Sequence, residues 1–198
     1  KDVSNSLYMI TGGQGKSRST KAGKNRDAKQ FSLMYTSTGE VTLEEHLRRG
    51  SIELDAGLLL RFAHIPSDAG KGYGVFDCIN YGTAPQDIGN RINELASKHY
   101  GHAGIKWLEY LTQDKDVVMQ KAQVLLDSFI EQHSKIKNGQ ASRVLRRFAL
   151  VATAGELATH AGITGWTQGR AFEAVAHCFN TWLGNLGNGE NMEETKTL

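Results

Sequence analysis

Apolar positions along this chain change rhythm near residue 80. Before that point they come in short runs. Leu7–Ile10 reads either as a strand or as the end of a helix that starts upstream. FSLMYTSTGE (Phe31 to Glu40) predicts a strand that ends in hydroxyls, a glycine and a carboxylate. Thr42 then opens TLEE, a capping box with Glu45, so a short helix is expected through Arg49 and a stop at Gly50. GLLLRFAHIP, closed by Pro66, predicts a buried strand in which Arg61 must be paired or must leave by the strand's end. A glycine-rich loop with a short extended piece, GVFDCI, fills Ser67 to Pro85.

Beyond it, five apolar stripes at helical spacing predict five helices. They run from Ile88 to His99, Ile105 to Leu111, Val118 to Ile136, Val144 to Ala158 and Phe172 to Leu186. A strand-bearing portion (1–80), an all-helical portion (81–186) and a mobile tail (187–198) are the expected organisation.

Composition narrows this picture. At 198 residues and 39% hydrophobic, the chain can bury a core of one domain, or one with a small appendage. No apolar run reaches the roughly 18–20 residues of a membrane span. The start at Lys1, without an apolar leader, reads as a piece cut from a longer cytoplasmic protein. Cys78 and Cys178, far apart in apolar company, read as buried free thiols rather than a disulfide or a thiolate metal site.

The formal net charge is only +2, but its distribution is uneven. Between Lys16 and Lys29 stand six cations and one anion, Asp27, a local +5; the rest sums to 2 − 5 = −3. A glycine-flanked cationic loop on a mildly acidic body suits a polyanion, and a solvated surface loop is the plain alternative.

The run GGQGKS, within YMITGGQGKSR, imitates a phosphate-binding loop without being one. With Gly15, Lys16 and Ser17 fixed, the first glycine of the motif belongs at position 10, which is Ile10. From Gly12 to Gln30 the only apolar side chains are Ala22 and Ala28, too few for the buried helix that should follow. His99 and His102 are separated by Gly101, which suggests a helix end, and no H-E-x-x-H or cysteine cluster points to a metal. No G-x-S-x-G is present. Three features remain: the Ser37–Glu40 cluster at a strand end, Arg61, and the helical arginines Arg143, Arg146 and Arg147. Each also has an ordinary structural explanation.

Taken in order, YMITGGQGKSR, FSLMYTSTGE, AGLLLRFAHIPSDAGKGYGVF, KHYGHAG and RRFALVATAGELATHAGITGW resemble the family called domain of unknown function 927, found in phage and mobile-element replication proteins of primase-helicase type. That family is similar to AAA+ ATPases of the minichromosome-maintenance sort. The resemblance implies an α/β fold: the later sheet strands of a partial AAA+ core with a presensor hairpin, then a helical lid. It implies that Lys16, Arg18, Lys21, Lys24 and Arg26 hold DNA on the hairpin. Thr38 would be the sensor-1 group with Glu40 beside it, Arg61 the arginine finger acting on a neighbouring subunit, and Arg147 the sensor-2 arginine.

ATP and magnesium are expected in the full-length protein, together with DNA and a ring of identical subunits; no resident metal is predicted for this chain. Walker A and Walker B should lie before Lys1, so the chain is not expected to hydrolyse ATP alone. Gly12 stands where the family has asparagine, and Phe31 where it has tryptophan. A non-enzymatic nucleic-acid-binding module and a degenerate helicase fragment are the alternatives.

Overall fold

The computed structural model describes residues 2–15, 27–51, 60–135 and 139–187. The chain divides into two compact units, Lys1–His64 and Ile65–Leu198.

In the first unit, α1 (Asp2–Gly12) contains the Leu7–Ile10 run, which is therefore helical. The second helix, α2 (Leu43–Arg49), starts where its cap predicts: Thr42 is extended and its Oγ1 accepts a hydrogen bond from Glu45 N at 3.0 Å. Only this half of the capping box is made, because the Glu45 carboxylate turns forward to Arg49, as Glu44 does to Arg48 at 2.7 Å. Gly50 caps the C-terminus, and Leu47 is the buried anchor.

The strands expected in this unit are not there. Phe31 to Gly39 is irregular chain without a ladder partner, and Leu33, Met34 and Tyr35 on it are exposed. Of GLLLRFAHIP, residues 60–66 lie in a turn and irregular chain, and the earlier part lies outside the described residues. GVFDCI, in the second unit, is turn and bend. Among the described residues no strand forms, and the single antiparallel bridge joins Gln14 to Gln30. The expected α/β core, a partial AAA+ sheet, is thereby overturned: the described chain is helical. A strand is stable only against a neighbour that shares its hydrogen bonds, and among the described residues these runs have none.

The second unit carries the five helices foreseen from periodicity: α3 (Pro85–Lys98), α4 (His102–Gln113), α5 (Lys115–Gln132), α6 (Gly139–His160) and α7 (Arg170–Gly187). Pro85 at the first position of α3 needs no N–H partner. Asp87 folds back to accept from the N–H groups of Thr83 (2.8 Å) and Ala84 (3.0 Å). These bonds, that from Thr83 foremost, hold its carboxyl below the usual carboxylate range. Glu94 is lowered too, by Lys98 and then Arg91. His99 ends α3 and Gly101 enters α4, so the two histidines flank a helix break. Asp114 caps α5 through Val117 N at 3.1 Å.

The core lies where α6 packs between α5 and α7. Phe129 of α5 and Phe179 of α7 are completely buried, and Phe148 meets Phe179 edge-to-face at 5.3 Å. Each such aromatic contributes a large apolar area at the centre of the bundle. The stripes of α3 and α4 are less well covered: Ile92, Ile105 and Leu108 face outward, so helical periodicity there does not mark a closed core. Cys78 is exposed and Cys178 half-buried, both unbonded, so neither is the fully buried thiol expected from its neighbours.

Two contacts lock α6 to α7. A Cβ added to Gly155 would come within 2.6 Å of the Ala171 Cβ, so the glycine sets how closely the helices approach. Glu156, only 3% exposed, offers Oε2 to Gly169 N (2.9 Å) and Oε1 to Ala171 N (3.0 Å) and Phe172 N (3.2 Å). It thus satisfies the first amides of α7 from the neighbouring helix.

Candidate nucleic-acid interface

The cationic loop is built from its base upward. α1 ends at Gly12. Gly13 then turns the chain with φ +67, where a Cβ would meet the Phe31 carbonyl oxygen at 2.7 Å. Only glycine fits that conformation and that approach. The turn brings Gln14 opposite Gln30, and two backbone bonds complete a neck: Gly15 N to Lys29 O at 2.8 Å and Phe31 N to Gly13 O at 2.9 Å. An open cleft of about 480 Å³ borders it, lined by Gly12, Gly13, Gln14, Gln30, Phe31 and Ser32.

The neck pins both ends of the segment that carries Lys16, Arg18, Lys21, Lys24 and Arg26, residues that lie outside those described. Lys29 and Asp27, at its returning end, are exposed. Helix α1 precedes the glycines, whereas the helix of a phosphate loop follows them, at positions that here lie outside the described residues.

The residues assigned to nucleotide chemistry fall on different supports from those expected. Arg61 is not inside a buried strand: it is exposed in a turn, its guanidinium 5.1 Å from the centre of the Tyr8 ring on α1. A cation over an aromatic face is attracted by the ring's negative centre. Thr38 and Glu40 stand exposed on irregular chain rather than at a sheet edge. Arg147 is exposed on α6, in the second unit. No group of three or more metal-ligating side chains exists among the described residues. No described helix is long and apolar enough to cross a membrane.

Residue types alone did not show Glu156 as a buried carboxylate; its only trace was a charged position amid the small apolar residues of VATAGELATHAG. Its three backbone amide partners make it a structural acceptor that joins α6 to the start of α7. Comparison of the chain with known families, with curated proteins and with solved structures finds no match.

Proposed function

We propose that this chain is the nucleic-acid-contacting segment of an ATP-dependent replicative DNA helicase, cytoplasmic and acting as a ring of identical subunits. Its basic loop holds the phosphodiester backbone. The neck at Gln14 and Gln30 carries this reading, because the stretch of net charge +5 leaves and returns through one hydrogen-bonded bridge, on a chain whose remainder sums to −3. Each phosphate neutralised releases condensed counterions, which gives affinity without sequence preference. ATP and magnesium belong to the full-length protein; there Arg61 would act on a neighbouring subunit's triphosphate, with Thr38, Glu40 and Arg147 sensing nucleotide.

The test is fluorescence anisotropy of a labelled oligo-dT strand with this chain across a salt series. Changing Lys16, Lys21 and Lys24 to glutamine should lower the slope of log affinity against log salt by about 2, at about 0.7 per contact. An unchanged slope would overturn the loop's role.

One observation favours a second reading, a nucleic-acid-binding module without enzymatic chemistry: Thr38 and Glu40 stand on exposed chain with no sheet behind them. In the full-length protein Arg61→Ala should abolish ATP turnover and spare ATP binding if the motor reading holds. Unchanged turnover, with no complementation when finger-defective and Walker-defective subunits are mixed, selects the module.

A further inference from the structure

We propose that Arg143 and Arg146, on the exposed face of α6, form a second phosphate-contacting surface for a nucleic-acid strand; this rests on the nucleic-acid reading above. From Gln132 to Gly155 the sequence holds Lys135, Lys137, Arg143, Arg146 and Arg147 and not one carboxylate, again a local +5. With both basic stretches set aside, the remainder of the chain sums to 2 − 5 − 5 = −8. A large excess of cations over carboxylates thus marks these two stretches, while the cations elsewhere are outnumbered by carboxylates.

Among the described residues, the arginines outside α6 are held by their own chain. Arg48, Arg49, Arg91 and Arg170 each pair with a glutamate three or four residues away, and Arg61 lies over Tyr8. For Arg143 and Arg146 on α6 that device is missing among the described residues. The positions one turn from Arg143 are Gly139, Gln140, Arg146 and Arg147; those one turn from Arg146 are Ser142, Arg143, Ala149 and Leu150. Accordingly neither Arg143 nor Arg146 forms an ion pair among the described residues. Both are exposed.

Like charges one turn apart repel each other and destabilise a helix unless an anion is supplied from outside. The helix cannot yield to that repulsion, because Val144, Leu145 and Phe148 on the same turns are buried in the bundle. Two guanidinium forks are therefore presented on a rigid support, a geometry suited to phosphate oxygens.

The experiment uses the full chain and a labelled oligo-dT strand over a salt series. It compares wild type, R143Q/R146Q, R143K/R146K and the loop variant with Lys16, Lys21 and Lys24 changed to glutamine, with helical content checked by circular dichroism. R143Q/R146Q should bind roughly threefold to tenfold more weakly at low salt and lose about 1.4 from the slope, while R143K/R146K keeps the slope. Wild-type affinity and slope in R143Q/R146Q, with the loop variant weakened, overturn the arginine surface and leave the loop intact. A weakened R143Q/R146Q beside an unaffected loop variant does the reverse. Absence of binding by wild type removes both. If R143Q/R146Q weakens poly-glutamate binding as much as oligo-dT binding, the surface is a dock for acidic protein and the proposal falls.

Discussion

The two units of this chain reach order by different means. In the second, Phe129, Phe148, Phe179 and Trp182 interlock across three helices, and a buried carboxylate fastens the connection between two of them. In the first, among the described residues Leu47 alone is a fully buried apolar side chain. What order it has comes from local devices: a helix cap, two glutamate–arginine pairs one turn apart, and a two-residue bridge. Local devices contribute roughly 0.2–1.5 kcal/mol each, whereas one buried aromatic contributes several. The unit that presents the basic loop is thus the less cohesive, as binding elements often are.

Breaking the core should show this asymmetry most plainly. Phe179→Ala should cost the second unit about 4 kcal/mol in urea denaturation. The Leu47 environment, followed by NMR, should remain intact below the new midpoint. Next comes Glu156→Ala, which strands the Gly169 amide and two amides of α7 and should cost about 3 kcal/mol. Glu156→Gln should lie between, because its carbonyl can still serve Ala171 and Phe172 while the Gly169 amide faces an NH₂ group. Gly155→Ala, forcing a methyl against Ala171, should cost about 1–3 kcal/mol by the same measurement.

Gly13→Ala reverses the comparison. It should open the neck at a cost of about 1 kcal/mol or more, weaken oligo-dT binding, and leave the thermal midpoint of the bundle unchanged. The smallest effect should come from Asp87→Asn. The Asp87 carboxyl is depressed in the folded chain, so its stabilising contribution is complete above the unfolded value, near 4, and disappears as pH falls through the folded value. A plot of thermal midpoint against pH should therefore show a smaller acid-side decline in the variant than in wild type.

How far sequence could be read depended on how local the interactions are. The α2 helix was legible to the residue because Thr42, Glu45 and Gly50 act within one or two turns. The five later helices were legible from their stripes for the same reason. FSLMY was not: its aromatic and apolar residues suit a strand, but a strand is completed by a neighbour, and no local signal says whether one is present. The apolar faces of α3 and α4 were overread because periodicity reveals a face and not its cover.

At the candidate site the charge of the loop was plain, while the opposition of Gln14 and Gln30 across fifteen intervening residues was not. The α6 arginines were visible as a cluster. That Arg143 and Arg146 lack the glutamate clasp of Arg48, Arg49, Arg91 and Arg170 follows from the residues three and four places away, but their exposure beside the buried Val144, Leu145 and Phe148 emerges only from the fold.

The carboxylate seated on the leading amides of α7 has one more effect. The opening turn of a helix is the commonest cradle that proteins offer a nucleotide, and here that berth is already taken by the chain's own anion. A triphosphate approaching the start of α7 would have to displace Glu156 or be gripped by side chains instead.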